Sequence, residues 1–164
     1  MPDRLFVGVL GHRRSGKSTT WNSLFGSNVR TGSNSRQLEL RPHECVKIFL
    51  ISGSPEERGE YAEDVLKNQS ARIILCSIQY VQHATETIDF IKREDFRTYI
   101  QWLNPGHNDV KTQYWDYLGL ISRLMSIGAT VSIRSGQGNP TGRVQELREF
   151  IYGWAVFRNL IVSC

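Results

Sequence analysis

Nothing in the sequence approaches the run of about 18 to 20 apolar residues that a membrane-spanning helix needs. The first apolar run, residues 5–10, is short and ends in a strongly polar loop, too brief for the core of a secretion signal. The expectation is therefore a chain neither inserted nor exported, with the cytoplasm as its compartment. Cysteine is scarce as well. Cys45, Cys76 and Cys164 are odd in number and widely spaced, with no Cys-x-x-Cys and no metal-ligand interval to His12, His43, His83 or His107, which argues against a zinc site. Cys45 and Cys76 lie beside or inside apolar runs, where cysteine serves as a small buried hydrophobe under reducing conditions. Long polar tracts, repeats and linkers are missing too. With 40% hydrophobic and 22% charged residues over 164 positions, the composition excludes a disordered chain and leads us to expect one domain over residues 1–164.

A strong net charge is also absent, since 20 Lys and Arg face 16 Asp and Glu. Without an RNP-like, zinc-finger or helix-turn-helix signature, nucleic-acid binding is not expected. The modest excess is unevenly placed: residues 1–50 hold eight basic against three acidic side chains, the remainder twelve against thirteen. A basic first third suits a site for phosphate-bearing ligands, and it equally suits a soluble surface.

What the chain does have is alternation. Residues 5–10 read as a strand buried on both faces, and Lys17 to Phe25 carries Trp21, Leu24 and Phe25 at helical spacing before the stop Gly26. Residues 27–35, rich in Gly, Ser, Asn and Thr, form a connection. A short edge strand over 36–40 and a central strand over 46–51 follow. An acidic helix starting at Pro55 and Glu56 places Tyr61, Ala62, Val65 and Leu66 on one face. Further strands are expected over 73–76, 99–103 and 129–133, with helices over 83–93, 113–127 and 143–154. The helix over 113–127 aligns Tyr114, Tyr117, Leu118, Ile121, Leu124 and Met125 in one stripe. The tail 155–164 extends the last helix or forms an edge strand. Strands alternating with helices predict an α/β fold in three layers, a five- or six-stranded mostly parallel sheet with helices on both faces.

The segment Gly11-His12-Arg13-Arg14-Ser15-Gly16-Lys17-Ser18 matches G-x-x-x-x-G-K-[ST] between the first strand and the first helix. Glycines at both ends let backbone amides turn toward one centre at the positive end of the helix. Lys17 is placed to neutralise β- and γ-phosphate oxygens, Ser18 to ligate Mg²⁺ and Thr19 to reach the α-phosphate side. Arg13 and Arg14 add guanidinium forks suited to phosphate. On these residues the chain resembles the P-loop NTPase superfamily, and residues 16–26, Gly-Lys-Ser-Thr running into Asn22-Ser23-Leu24-Phe25-Gly26, are similar to the first motif of Era- and TrmE-type GTPases. The resemblance implies a P-loop fold, ATP or GTP with Mg²⁺ as ligand, and a nucleoside-triphosphate-hydrolysing, switch-like activity.

The later GTPase motifs are missing. Ser52-Gly53-Ser54-Pro55 stands where those proteins carry Asp-x-x-Gly, and Ser77-Ile78-Gln79-Tyr80 where they read guanine with Asn-Lys-x-Asp, so guanine is not singled out. Glu56 or Glu57 is a candidate substitute for the missing acid, with Glu56 also explained as a helix-starting residue. Thr31 stands where GTPases use a switch threonine and also reads as an ordinary loop residue. Arg134 and Arg143 flank a glycine-rich loop, either a lid over a ligand or an exposed turn with solvated arginines. Two other functions fit the same residues: a small-molecule or nucleotide kinase, and a nucleotide-loaded module that docks a protein partner through Tyr114, Trp115 and Tyr117.

Overall fold

The run 5–10 becomes the central strand of a seven-stranded mixed sheet in the computed structural model, which describes residues 3–109 and 115–164. The strands are β1 (Leu5–Gly11), β2 (Arg36–Arg41), β3 (Glu44–Ile51), β4 (Ile73–Gln79), β5 (Arg97–Leu103), β6 (Thr130–Arg134) and β7 (Val162–Ser163). Their order is β2-β3-β4-β1-β5-β6, with β7 beside β3. The pairs β3·β4, β4·β1, β1·β5 and β5·β6 are parallel, while β2 and β7 run antiparallel to β3. Every residue of β1 is buried, as a strand covered on both faces must be.

The two-residue pleat divides β1 between two cores. Leu5, Val7 and Val9 pack with Trp21, Leu24, Leu147 and Ile151, from helices α1 (Lys17–Phe25) and α5 (Thr141–Phe157). Phe6 and Leu10 pack with Leu66, Ile88, Ile91 and Leu124, from α2 (Ala62–Leu66), α3 (Ala84–Arg93) and α4 (Leu120–Ser126). Helices thus cover both faces of the sheet, and burial of each such large apolar side chain contributes about 1.5–3 kcal/mol. Helix α1 is further pinned where Trp21 Nε1 donates to Ser77 Oγ on β4 at 2.8 Å, a buried bond across the layers. Gly26, left-handed at φ 72°, ends α1 as expected, its N–H turned back to Asn22 O and Ser23 O.

Several expectations need correction. The acidic helix does not start at Pro55: residues 55–59 form turns, α2 covers only Ala62–Leu66, and Tyr61 is exposed. The amphipathic stripe over 113–127 is helical only from Leu120, and residues 113 and 114 lie outside the described residues. Asp116 explains the late start. Its carboxylate accepts the N–H groups of Leu120 (2.9 Å), Ile121 (2.8 Å) and Ser122, and the Tyr80 hydroxyl donates to it at 2.5 Å. Met125 and Tyr117, counted as inward, are exposed, and Trp115 more so. The tail takes both expected forms, with α5 extended to Phe157 and β7 added to the sheet, which raises the strand count to seven. Cys45 is not a free thiol: β7 carries Cys164 beside β3, and the two sulfurs form a disulfide across 119 residues. That removes the cysteine-based argument for a reducing compartment. Only Cys76 is free, buried where desolvation pushes its thiol pKa well up. Among the described residues no helix is long and apolar enough to cross a membrane.

Candidate functional site

Parallel strands that lie side by side deliver the loops after their carboxyl ends to one place, the usual location of ligands in such sheets. Here the loop 12–16 after β1, the loop 104–109 after β5 and the loop 135–140 after β6 are locked together. His107 N donates to Ser15 O at 2.9 Å, Gly136 N to Pro105 O at 2.7 Å and Asn104 N to Arg134 O at 2.8 Å. Gln137 Nε2 donates to Asp109 O at 2.6 Å. The contact at Gly136 is so close that a Cβ there would collide with Ser15 O and meet His107 N at 3.2 Å. Gly136→Ala is therefore expected to destabilise the protein by about 1–3 kcal/mol, the usual range for overpacking. Denaturant unfolding checks this, and an unchanged midpoint would mean that the three loops are not held together as described.

Within the first loop Arg14 is left-handed at φ 60°, and Gly16 at φ 108° occupies the position just before α1. That backbone region costs a residue with Cβ and costs glycine little. Thr20 closes the first turn, its N–H and its hydroxyl both donating to Gly16 O, at 3.0 and 2.8 Å. Among the described residues no side chain caps this end of α1, so the N–H groups of its first turn face solvent or a ligand at the positive end of the helix.

Seven of the nine expected site residues line one cleft of about 410 Å³: Arg13, Arg14, Ser15, Gly16, Lys17, Ser18 and Thr19. Ser52 and Glu57 close it from the end of β3, and His107 and Asn108 from the loop after β5. Gly11 ends β1 beneath the cleft, and the His12 ring turns away, 5.3 Å from the ring of Tyr80. Both still serve the site through their carbonyls. Lys17 Nζ donates to Gly11 O at 3.2 Å and to His12 O at 2.8 Å, and faces Glu57 Oε1 at 3.4 Å. Lys17 is 6% exposed, and burial holds its pKa below the ordinary 10.5 despite the Glu57 carboxylate, which acts the other way. Ser18, Thr19, Arg13 and Arg14 are exposed in the cleft.

The two candidate acids separate. Glu56 does not start a helix. Its carboxylate accepts Thr87 Oγ1 at 2.7 Å and Gln79 N at 3.2 Å, which ties the turn after β3 to β4 and α3. Glu57, its N–H held by Ser54 Oγ, is the acid that reaches the cleft. Because β4 lies between β1 and β3, the turn 52–57 spans that gap to bring it there. Thr31 is more than an ordinary loop residue, as its hydroxyl accepts Ser52 N at 2.8 Å and fastens the connection 27–35 to the cleft wall.

The arginines at the third loop also separate. Arg134 is no lid, since it pairs on the surface with Glu146 at 2.7 Å. Arg143 is not solvated. It is 5% exposed, with Nε donating to Thr20 Oγ1 at 3.2 Å and Nη1 to Ser135 O at 3.3 Å. Asn108 belongs to no motif in the sequence, and His107 stands out there only as a histidine without metal-ligand spacing. The available signal was the turn Asn104-Pro105-Gly106 at the carboxyl end of a central parallel strand, the position the sheet reserves for ligand contacts.

The cleft therefore combines three cationic side chains, the hydroxyls of Ser18 and Thr19, one carboxylate and the start of α1, a set whose chemistry suits a polyanion accompanied by a hard cation. Compared with family models, curated proteins and solved structures, the chain finds no match.

Proposed function

We propose that the cleft binds a nucleoside triphosphate, ATP or GTP, with Mg²⁺, and that the chain is a P-loop-type domain hydrolysing it to the diphosphate and inorganic phosphate. The observation that carries this reading is Lys17. A buried ammonium held by the carbonyls of Gly11 and His12, beside the start of α1, suits phosphate oxygens and supports this reading. Arg13 and Arg14 supply further positive charge at the mouth.

The donors present suit Mg²⁺. Ser18 offers a hydroxyl to the ion and Glu57 a carboxylate that would accept from one of its waters, and this ion commonly keeps several waters and takes phosphate oxygens for the rest of its shell. When bound, it neutralises charge on the β- and γ-phosphates. The chain's own residues do the rest. Lys17 and the arginines hold the γ-phosphate, and Glu57 orients a water and takes its proton as the water oxygen bonds to the γ-phosphorus. The bond from that phosphorus to the β–γ bridging oxygen breaks, and the bridging oxygen leaves with the diphosphate. Thr31, fixed to Ser52, links the loop 27–35 to the same wall, where loss of the γ-phosphate is felt. The reading implies the cytoplasm, where such nucleotides are abundant and where the Cys45–Cys164 pair would meet thiol reductants.

Equilibrium binding of ATP and GTP with and without Mg²⁺, followed by product analysis, tests this. Tight Mg²⁺-dependent binding with release of free phosphate is expected. Label passing from the γ-phosphate to an acceptor would make the domain a kinase, binding without turnover would make it a docking module, and no binding of either nucleotide overturns the reading.

A further inference from the structure

Arg143 has an electrostatic problem that the polypeptide does not solve. Its guanidinium is 5% exposed, and its hydrogen bonds run to neutral oxygens, Thr20 Oγ1 and Ser135 O. No carboxylate among the described residues pairs with it, and burial alone acts on its pKa, in the downward direction. Buried charges are ordinarily paired, because removing one from water without a partner costs several kcal/mol. The residue also stands in the first turn of α5, at the positive end of that helix, where a cation is disfavoured. Its other neighbour compounds the problem. A Cβ on Gly16 would lie 3.3 Å from Arg143 Nη2, so the guanidinium packs directly behind the residue that opens α1, a second positive helix end. Neutral side chains here would fold with less cost.

We propose that Arg143 is the standing positive charge behind the anion site, and that the phosphate chain bound in front of Gly16 is its counter-ion. This rests on the reading of the cleft given above and adds a positioning residue to it. Arg143 touches no ligand. It acts through the loop it backs, raising the positive potential there and fixing Gly16 and Thr20 from behind, and its burial keeps that potential from being screened by salt. A bound anion returns the missing partner, so occupancy stabilises the fold by relieving a charge left uncompensated in the empty protein.

Calorimetric titration with tripolyphosphate, pyrophosphate and orthophosphate tests the proposal, with ligand-free and ligand-bound melting temperatures beside it. Arg143→Met is expected to weaken tripolyphosphate on the order of tenfold and orthophosphate least, because a loss of potential scales with ligand charge. Its ligand-free melting temperature should equal or exceed that of the natural protein. Arg143→Lys, which keeps the charge and loses the fork, should bind within about threefold of the natural protein. A purely packing role would show the reverse: a lower ligand-free melting temperature, equal losses for all three anions and no rescue by lysine, and that pattern overturns the proposal. If Arg143→Met does not fold, Arg143→Lys decides, and a tenfold loss there is equally fatal. Lys17→Ala in the same titrations separates the two ideas. Binding lost with Lys17→Ala and unchanged with Arg143→Met leaves the cleft reading standing without Arg143, whereas no binding by the natural protein removes both.

Discussion

Lys17→Ala is expected to weaken triphosphate binding at least about thirtyfold, corresponding to roughly 2 kcal/mol or more for a lost charge-assisted contact. The size follows from where the ammonium sits. It is nearly out of water, held by Gly11 O and His12 O at the floor of the cleft, so its geometry exists before a ligand arrives and little side-chain freedom is spent on binding. Titration with ATP and GTP checks the number, and a loss under threefold would show that the ammonium faces the loop alone. The same residue sets a pH dependence. Burial lowers the folded-state pKa of Lys17 below 10.5, so in the empty protein the penalty for charging it is present at neutral pH and disappears as pH rises through the lowered value. Phosphate acts in the opposite sense and favours the charged form. Affinity should therefore fall as pH rises through the lowered pKa, below 10.5, and binding in that range should take up a proton. Calorimetry in two buffers of different ionisation enthalpy reads that proton directly, and a flat affinity up to 10.5 would contradict the assignment.

Much of this candidate site is legible in the sequence because its signals are local. A continuous apolar run, a loop closed by Gly16 and a helix with Trp21 and Leu24 on one face occupy consecutive residues, and each is decided by backbone sterics or by periodicity over a few positions. The features that escaped depend on partners far away in the chain. Cys45 reads as a core thiol in the sequence because its partner is 119 residues distant and reaches it only through β7, a strand of two residues with no pattern of its own. The stripe over 113–127 continues across Gly119, and only the Asp116 carboxylate, which collects three N–H groups, shows why the helix waits until Leu120. Arg143 reads either as part of a lid or as a solvated side chain because it follows a polar, glycine-rich loop. Its burial depends on distant neighbours, Thr20 and the Cβ-less Gly16, where a side chain would meet Arg143 Nη2 at 3.3 Å. The two glutamates differ for the same reason: adjacent in sequence, they point to opposite tasks once Thr87 and Gln79 claim Glu56.

Glu57→Gln is expected to lower turnover by about 10²- to 10⁴-fold, the range for removing a positioned proton acceptor, while leaving the triphosphate bound. Among the described residues Glu57 is the one carboxylate lining the cleft, so no neighbour takes over its part. The two effects should differ in sign. Glu57 Oε1 lies 3.4 Å from Lys17 Nζ and competes with phosphate for that ammonium in the empty site. Glutamine keeps the shape and withdraws the competing charge, so without Mg²⁺ the nucleotide should bind about two- to fivefold more tightly, in line with a partly exposed ion pair. With Mg²⁺ present the gain should shrink, because the ion already neutralises part of the phosphate charge that the carboxylate repels and the substitution removes an acceptor for one of its waters. Glu56→Gln should do neither, since that carboxylate serves the turn after β3; its cost belongs in the melting temperature. Single-turnover phosphate release and metal-free titration on the two variants separate these outcomes. Equal loss of binding and turnover in Glu57→Gln would mean that the carboxylate merely holds Lys17 in place, and the chemistry assigned to it would have to come from another group.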